Sequence, residues 1–335
     1  MKILHLPYGI GISTLAKALR EQGANAASCS FRSTNFYDYL ADIRLNLNQY
    51  SIKKSDSVRR QFFRQAMAEY DLFHFHFGET FFPDKRDLRE LKNAGKKRIV
   101  HHRGSEVRKL SVARSFGNPY VQVKKSWPEK TITNNLTKLS ADIDHAIVND
   151  HELLAYVKPY YKKTYVVRQP LDCSRFQPVY PSPQKKPLIV HAPSNREIKG
   201  TEFVIKAMEQ LKQDGEQFTF RLIEKLPREE ALALYRKAAI IIDQLRIGSY
   251  ANFSLEAMAL GKPVVCFIRN DLLKTYPPDL PIVNANPDTI YEEVKKLLHE
   301  PEAWAKIGKR SRKYVEGHHR PDAIAKQLLQ IYSEL

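Results

Sequence analysis

The sequence predicts an α/β protein made of two halves, each a parallel sheet with crossover helices. The length of 335 residues corresponds to about two ordinary domains. Short apolar runs alternate with helical patterns along the chain, which favours parallel strands joined by helices. A proline-rich stretch, Phe176 to Pro187, separates two such series. Folds of this kind bind ligands at the carboxyl ends of their strands, so we expect a ligand between the two halves.

The first half begins directly with a strand-like run, Lys2 to Leu6. Ser13 is a natural N-cap for the helical pattern that follows it. Asp71 to Phe77 alternates apolar and polar residues as a strand does. The predicted elements of this half are strands at 2–6, 71–77, 98–102 and 145–148 and helices at 13–22, 84–93 and 150–156.

The second half follows a segment with a linker composition. Residues 176–187 hold four prolines and few packing residues, which is typical of a connection between domains. The alternating pattern then resumes. The predicted elements are strands at 188–191, 218–223, 239–243 and 263–267 and helices at 201–212, 229–237 and 254–260.

Composition and charge limit the classes of protein to consider. Hydrophobic residues make up 43% and charged residues 27%, as in globular proteins, and no apolar run approaches the ~18 residues of a membrane span. Met1 to Pro7 is too short for a secretory signal, and three scattered cysteines (Cys29, Cys173, Cys266) predict a reduced, cytoplasmic protein. A net charge of +17 favours polyanionic partners: nucleic acid, anionic lipid or phosphorylated substrates.

The most specific stretch is S-L-E-A-M-A-L-G-K-P-V-V, residues 254–265. It predicts a helix with Glu256 near its start, Gly261 as the C-cap and Pro263 leading into a buried strand. A carboxylate there can accept both hydroxyls of a ribose, while the amides of the helix N-terminus offer donors to phosphate. The alternative interpretation is a helix–turn–strand unit whose glutamate is solvated or interacts with the helix dipole.

This stretch resembles the nucleotide-binding signature of glycosyltransferase family four, and the resemblance covers nearly the whole chain. V-V-R-Q-P-L-D-C-S-R-F (166–176) is similar to the family's sequence at the end of the first domain. H-A-P-S-N-R-E-I-K-G (191–200) and K-I-G-K-R-S-R-K-Y-V (306–315) are similar to a phosphate-binding segment and a basic helix of the second.

The resemblance implies the GT-B fold, in which two Rossmann-like domains face each other across a cleft. The domain limits it implies are 1–178 on the acceptor side and 179–318 for the nucleotide sugar, with a helix at 319–335 that crosses back to the first domain. It also implies a retaining enzyme that works without a bound metal or other cofactor.

In the second domain the resemblance implies a donor site. Lys199 matches the family's lysine for the diphosphate, and Arg196 is a second candidate because Ser194 stands at the usual arginine position. The implied donor-binding residues are Glu224, Gly248, Ala251, Asn252, Phe253 and Glu256.

Two departures from the family stand out. The family pairs two glutamates, and the first falls on Gly248 here, which implies a subfamily variation, an altered donor preference or a weakened enzyme. Between Leu222 and the helix near Glu229 the chain lacks the family's extra helix and strand, so the base pocket near Glu224 and Lys225 is expected to differ.

In the first domain, glycines and a histidine motif follow predicted strands. Gly9 and Gly11 allow a backbone to approach phosphate closely, although from the residues alone a tight turn explains them equally and the dinucleotide fingerprint is incomplete. In the family the same loop faces the donor phosphates, so the resemblance implies that Gly9 and Gly11 are donor-binding residues. The resemblance places His102 against the donor sugar as a catalytic residue beside Lys199 and Arg196. The acceptor-side candidates are Glu79, Arg103 and Glu106.

Clustered histidines raise the question of a metal. His74 and His76 share one face of a strand, and His101 and His102 end another. No aspartate, glutamate or cysteine at metal-ligand spacing completes the set, so we expect no metal.

Basic residues are interleaved with aromatic ones in the first half. Residues 85–98 hold seven basic residues against two acidic ones, and Ser51 to Arg64 combines five basic residues with Phe62 and Phe63. A third such stretch, Tyr120 to Lys130, includes Trp127. The pattern suits docking on an anionic membrane surface, and a solvated basic face explains it equally.

We therefore predict a retaining glycosyltransferase that moves a sugar from a nucleotide-diphosphate sugar to a cell-envelope, polysaccharide or lipid-linked acceptor, in the cytoplasm or at the inner face of the membrane. The alternatives are a sugar-nucleotide epimerase or phosphorylase-like enzyme, a nucleic-acid-binding protein or a silent sugar-nucleotide binder. Nucleic acid is not expected, because the basic residues are dispersed and no recognised binding motif is present.

Overall fold

The structure is a computed structural model that describes residues 1–7, 9, 11–33 and 41–335. Two residues of the glycine stretch near the first strand, Tyr8 and Ile10, lie outside the described residues. None of the helices in the described ranges is both long and apolar enough to cross a bilayer.

Within these ranges the strands are β1 (Lys2–Leu6), β2 (Asn25–Ser30), β3 (Ile43–Arg44), β4 (Leu72–His76), β5 (Lys97–His102), β6 (His145–Val148), β7 (Lys163–Val166), β8 (Leu188–His191), β9 (Thr219–Leu222), β10 (Ile240–Ile242), β11 (Val264–Cys266) and β12 (Val283–Asn284). The helices are α1 (Ile12–Glu21), α2 (Ile52–Glu69), α3 (Arg86–Asn93), α4 (Leu110–Arg114), α5 (Glu129–Ser140), α6 (His151–Val157), α7 (Arg196–Lys199), α8 (Thr201–Gln213), α9 (Arg228–Lys237), α10 (Asn252–Ala259), α11 (Asn270–Leu273), α12 (Ile290–His299), α13 (Ala303–His318) and α14 (Pro321–Ser333).

The chain divides into two compact units. The first unit comprises residues 1–109, 125–170 and 321–335, and the second comprises 110–124 and 171–320. The long segment of the second unit thus begins between Pro170 and Leu171, ahead of the proline-rich segment predicted as the linker. Phe176 packs into the core of the second unit, and the Val179 N–H donates to the Leu260 carbonyl at 2.9 Å. The proline-rich segment is therefore attached to the second unit rather than suspended between domains.

The first unit is built on a seven-stranded sheet in the order β3-β2-β1-β4-β5-β6-β7. All its pairings are parallel, so the carboxyl ends of β1, β4 and β5 lie side by side at one edge. On one face, α14 packs with α1 against the sheet, where Leu15, Leu19, Ile324 and Leu328 are buried. The predicted return of the final helix to the first domain is confirmed.

The second unit is built on a five-stranded parallel sheet in the order β12-β11-β10-β8-β9. One face is covered by α9 and α10 together with Tyr314 of α13, and the other by α8, α12 and Trp304. Each unit is thus a parallel sheet covered by helices, and the predicted class of two Rossmann-like α/β domains is confirmed.

The start of α1 differs from the prediction. The helix begins at Ile12, and Gly11, with φ of 96°, is the N-cap instead of Ser13. Glycine adopts this left-handed conformation without the penalty that a side chain carries, so the backbone rather than a serine hydroxyl sets where α1 begins.

Candidate functional site

The predicted donor-site residues of the second unit lie in three segments at one edge of its sheet. Strands β9, β8 and β10 are neighbours and run parallel, so the loops after them leave on the same side. The loop after β8 leads to Arg196 and Lys199, and the loop after β9 carries Glu224. The connection after β10 carries Gly248 and leads into α10 with Glu256.

Lys199 lies at the end of α7 and is only 8% exposed. Its Nζ donates to Oδ1 of Asp243 at 2.5 Å, and Oδ2 of the same carboxylate accepts from Oγ of Ser254 at 2.6 Å. Asp243 follows β10 directly, and Ser254 lies in the first turn of α10. The predicted phosphate lysine is therefore fixed next to the start of the helix whose amides were predicted to bind the same phosphates.

Glu256 faces a cation that the sequence analysis did not identify. Arg228, the first residue of α9, donates from Nη2 to Oε1 of Glu256 at 2.9 Å. Glu256 itself is 9% exposed. Ribose hydroxyls that donated to this carboxylate would share it with Arg228.

Arg196 and Glu224 form an exposed ion pair across the loops after β8 and β9. Nε of Arg196 donates to Oε1 of Glu224 at 2.9 Å. The Arg196 guanidinium lowers the pKa of the Glu224 carboxyl below its ordinary value. Residues 223–227 connect β9 directly to α9 with no helix or strand between them, as the sequence predicted.

The first turn of α10 offers backbone donors. Ala251 is its N-cap in an extended conformation, and no side chain caps the helix. The N–H groups of a helix's first turn have no partners within the helix, and the dipole favours an anion there. Ala251, Asn252 and Phe253 are half-buried, so this end of the helix reaches the surface.

Gly248 cannot carry the family's glutamate without rearrangement. Its φ is 87°, and a Cβ built on it would lie 2.1 Å from Cγ of Arg269. The Arg269 side chain is held by Asp271, with Nε at 2.9 Å from Oδ1, and lies 4.4 Å from the centre of the Phe116 ring. Arg269 therefore fills the space where a side chain at position 248 would begin.

In the first unit, the predicted residues follow three neighbouring strands. Gly9 and Gly11 follow β1 with φ of 139° and 96°, and Glu79 follows β4. A Cβ at Gly11 would lie 2.7 Å from Nε2 of Gln169. His102 ends β5, with Arg103 and Glu106 just beyond it. The predicted first-domain residues thus share one edge of one sheet.

His102 is fully buried, so its surroundings in this unit are protein groups. Its Nε2 lies 2.9 Å from Oη of Tyr161, and its Nδ1 lies 3.6 Å from Oε1 of Glu106. Glu106 is also fully buried and accepts from the N–H groups of Arg103 at 2.6 Å and Gly104 at 2.8 Å. These contacts fix the turn after β5, and a role for His102 at the donor sugar stays a prediction.

Arg103 joins this turn to its surroundings. Its guanidinium donates to Oδ1 of Asn149 at 3.0 Å, to Oε1 of Gln169 and to Nδ1 of His76 at 2.8 Å. Burial lowers the pKa of Arg103 to about 10, which leaves it charged at neutral pH. Gln169 thus connects Arg103 with the glycine turn after β1.

The buried histidines form a group that includes His5, which the sequence analysis did not consider. Ligand atoms of His5, His74 and His76 lie within 4.8 Å of one another, a spacing that suits a metal ion. Nδ1 of His5 lies 3.1 Å from Nε2 of His76, and Tyr332 lies 2.5 Å from Nδ1 of His74 through its Oη. Neutral rings account for these contacts as hydrogen bonds, and the charged Arg103 beside His76 opposes a cation.

Two residues of the second unit were missed by the sequence analysis: Arg228 and Asp243. The signal for Asp243 was present, because it follows the apolar run of β10 just as Arg196 and Lys199 follow that of β8. Arg228 gave no such signal, because its partner Glu256 lies 28 residues further along the chain.

Comparisons with known proteins show similarity to a glycosyltransferase-like family over part of the chain and to structures with the GT-B fold over its full length. Residues 195–330 match the model of a family described as "Glycosyl transferase-like". A search of curated proteins finds no match.

Three solved structures share the fold over the full length. Sucrose-phosphate synthase from Thermosynechococcus elongatus has a TM-score of 0.68 and 17% identity, covering 100% of this chain and 99% of that one. HepE from Anabaena in complex with UDP has a TM-score of 0.64 and 13% identity, covering 100% of both chains. UDP-GlcNAc 2-epimerase from Neisseria meningitidis, bound to UDP-GlcNAc, has a TM-score of 0.54 and 15% identity, again covering 100% of both.

Proposed function

We propose that this protein is a retaining glycosyltransferase of family four that takes its sugar from a nucleotide-diphosphate sugar. The observation that carries the proposal is the group at the carboxyl edge of β9, β8 and β10. A buried lysine, a carboxylate and an uncapped helix N-terminus meet there. A nucleoside diphosphate needs the same three partners: cations and amides for its phosphates and an acceptor for its ribose hydroxyls.

In this proposal the second unit holds the donor. Lys199, with Arg196 as a second cation, and the amides of Ala251, Asn252 and Phe253 stabilise the charge that develops on the departing diphosphate. Such preorganised donors act most strongly where charge appears in the transition state. Retention then requires the acceptor on the same face of the sugar as the leaving group, so positioning contributes the remaining acceleration. No metal or other cofactor takes part.

In this proposal the first unit binds the acceptor substrate through Glu79, Arg103 and Glu106. His102 keeps the role at the donor sugar that the family resemblance implies for it. We propose a cell-envelope, polysaccharide or lipid-linked acceptor. Two structures of one neighbour support a nucleotide-sugar donor and a carbohydrate acceptor: HepE was solved with UDP-glucose, and also with UDP and glucose.

A binding panel tests the proposal. UDP-, GDP-, ADP- and TDP-linked sugars are each added to the protein, and the melting temperature is measured. A ligand that binds the native state adds about 2.7 kcal/mol of stability at a concentration of 100 times Kd, and the melting temperature rises accordingly. No shift with any of these donors would refute the proposal.

Two variants locate the site. Lys199→Ala and Glu256→Ala should each weaken donor binding about 10- to 150-fold, the value of a charge-assisted hydrogen bond of about 1.5–3 kcal/mol. Lys206→Ala and Glu209→Gln, on the exposed face of α8, are the matched controls and should bind as the wild type does. Donor affinity that is unchanged in both site variants would remove Lys199 and Glu256 from the site.

Turnover assays separate transfer from epimerisation. With acceptor present, the proposal predicts that nucleoside diphosphate is released. The sugar in the product should have the same anomeric configuration, α or β, as it had in the donor. Conversion of the nucleotide sugar in the absence of any acceptor would identify an epimerase instead.

We also propose that the protein works in the cytoplasm and docks on an anionic membrane through the start of α2. Ile52 is 90% exposed and Tyr50 45% exposed, beside the exposed Lys53 and Lys54. The aromatic residues of the predicted motif do not contribute, because Phe62 and Phe63 are buried. The basic 85–98 stretch is also largely engaged within the unit: Lys85, for example, is buried and donates to the Gly78 carbonyl at 2.8 Å.

Cosedimentation with vesicles of phosphatidylglycerol and phosphatidylcholine tests this docking. Replacing Ile52, Lys53 and Lys54 together should weaken binding at least tenfold, since each lysine contributes about 1 kcal/mol near such a surface. Equal binding of the triple variant would contradict docking through α2.

A further inference from the structure

We propose that Asp243 is a positioning residue that organises the phosphate-binding part of the donor site. The inference depends on the proposed function, because it assigns the phosphates of a nucleotide to Lys199 and the start of α10. It adds a residue that the resemblance did not supply and that touches no ligand itself.

Asp243 holds both parts of that site at once. Its side chain has no exposed surface, and its two carboxylate oxygens have different partners. Oδ1 accepts from Nζ of Lys199 at 2.5 Å, and Oδ2 accepts from Oγ of Ser254 at 2.6 Å. One buried carboxylate therefore fixes the distance between the ammonium group and the first turn of α10.

The backbone around Asp243 is held equally firmly. Its N–H donates to the Val265 carbonyl at 2.9 Å in the ladder between β10 and β11. Two residues further on, the Leu245 N–H donates to the carbonyl of Lys199 at 3.0 Å. Lys199 is therefore tied to this strand end through both its backbone and its side chain.

The charge of Asp243 has a specific consequence. Lys199 is nearly buried, and an ammonium group removed from water needs a counter-charge to stay in place. Asp243 supplies that charge before a ligand arrives, so no reorganisation of the lysine is required when a diphosphate binds. A preorganised site loses less free energy on binding than one that must be ordered by its ligand.

Asp243 could also have the opposite effect and weaken diphosphate binding. A carboxylate beside a phosphate-binding lysine competes with the phosphate for it, so a purely competitive Asp243 would weaken binding. Removing its charge would then improve diphosphate affinity. The sign of the change therefore distinguishes a positioning residue from a competitor.

The experiment compares two probes on Asp243→Asn. The nucleoside diphosphate that shifts the wild-type melting temperature most is measured by calorimetry, and the corresponding nucleoside, which lacks phosphates, by NMR titration. Glu230→Gln, an exposed acid-to-amide change on α9, is the matched control. Ser254→Ala keeps both charges and is measured in the same way, which covers the case that Asp243→Asn is too unstable to assay.

We expect Asp243→Asn to lose about tenfold or more in diphosphate affinity, while nucleoside affinity changes by less than about threefold. Ser254→Ala should show a smaller loss with the same selectivity. A merely structural role would lower both affinities together and would overturn the inference, as would unchanged or improved diphosphate affinity. If the wild type binds no nucleoside diphosphate, the proposed function itself fails and this inference with it.

Discussion

Acidification from about pH 7.5 to about pH 5 should destabilise the first unit through its buried histidines. His5, His74, His76 and His101 have no exposed surface. Burial lowers the pKa of each of these rings below its ordinary value, and the charge of Arg103 lowers it further. The folded unit therefore holds four neutral rings at a pH at which the unfolded chain binds protons.

The sign and size of the change in unfolding free energy follow from His5, whose pKa falls to about 3. An unfolded histidine titrates near ~6.5, so the stability from this depressed pKa is fully present above about pH 6.5 and is lost progressively as the pH falls towards about 3. At about pH 5, His5 alone lowers the free energy of unfolding by about 2 kcal/mol. His74, His76 and His101 act in the same direction and steepen the loss.

Urea denaturation at a series of pH values measures the effect. The slope of the unfolding free energy against pH gives the number of protons taken up on unfolding, at about 1.4 kcal/mol per pH unit for each proton. We expect a slope above that of a single group between about pH 6 and about pH 5. His5→Asn should reduce the slope by about one proton, even though it lowers stability at neutral pH.

His299→Gln is the control for this experiment, because His299 lies on the surface of the second unit with a side chain that is 58% exposed. It should leave the slope unchanged. A slope below one proton in the wild type, or an equal slope in His5→Asn, would show that these rings are protonated in the folded unit and would refute the reasoning.

Two further predictions concern glycines of the second unit. Gly248→Glu should not restore a family-like site: it should lower stability by about 2 kcal/mol or more in chemical denaturation, because φ is 87° and Arg269 occupies the Cβ space. Normal stability with tighter donor binding would contradict this. In α13, a Cβ at Gly308 would lie 2.1 Å from the Gly261 carbonyl oxygen, whereas one at Gly317 would meet nothing within 4 Å. Gly308→Ala should therefore cost about 1–3 kcal/mol, whereas Gly317→Ala should leave stability unchanged or raise it by up to about 1 kcal/mol. Equal melting temperatures of the two variants would argue against close packing at Gly308.

Much of the fold could be predicted from periodicity because strand and helix patterns are local. The run 2–6 matches β1 in both bounds, and the 145–148 run matches β6. Other features depend on distant partners. The alternation in 71–77 predicts one polar face, yet every residue of β4 is buried, because the histidines of that face meet His5 and Tyr332 from remote parts of the chain.

The candidate site could also be predicted only as far as local sequence determines it. Residues that come shortly after a strand, such as Glu224 after β9 and Lys199 in the short helix after β8, could be placed at a sheet edge from their position alone. Whether their charges are free for a ligand could not, because Asp243 and Arg196 engage them from other loops. The meaning of Gly248 was equally hidden, since the side chain that fills its space lies 21 positions further on at Arg269.

The return of α14 to the first unit also sets an order of completion during synthesis. Residues 171–320 form the whole of the second unit apart from residues 110–124, so every part of that unit leaves the ribosome before α14 does. The first unit waits for Tyr332, whose hydroxyl meets His74 in the interior, and for Ile324 and Leu328 to cover its sheet. The core of the first unit is therefore complete only when the last residues of this sequence have been made, because until then the α1 face lacks the cover that Ile324 and Leu328 provide.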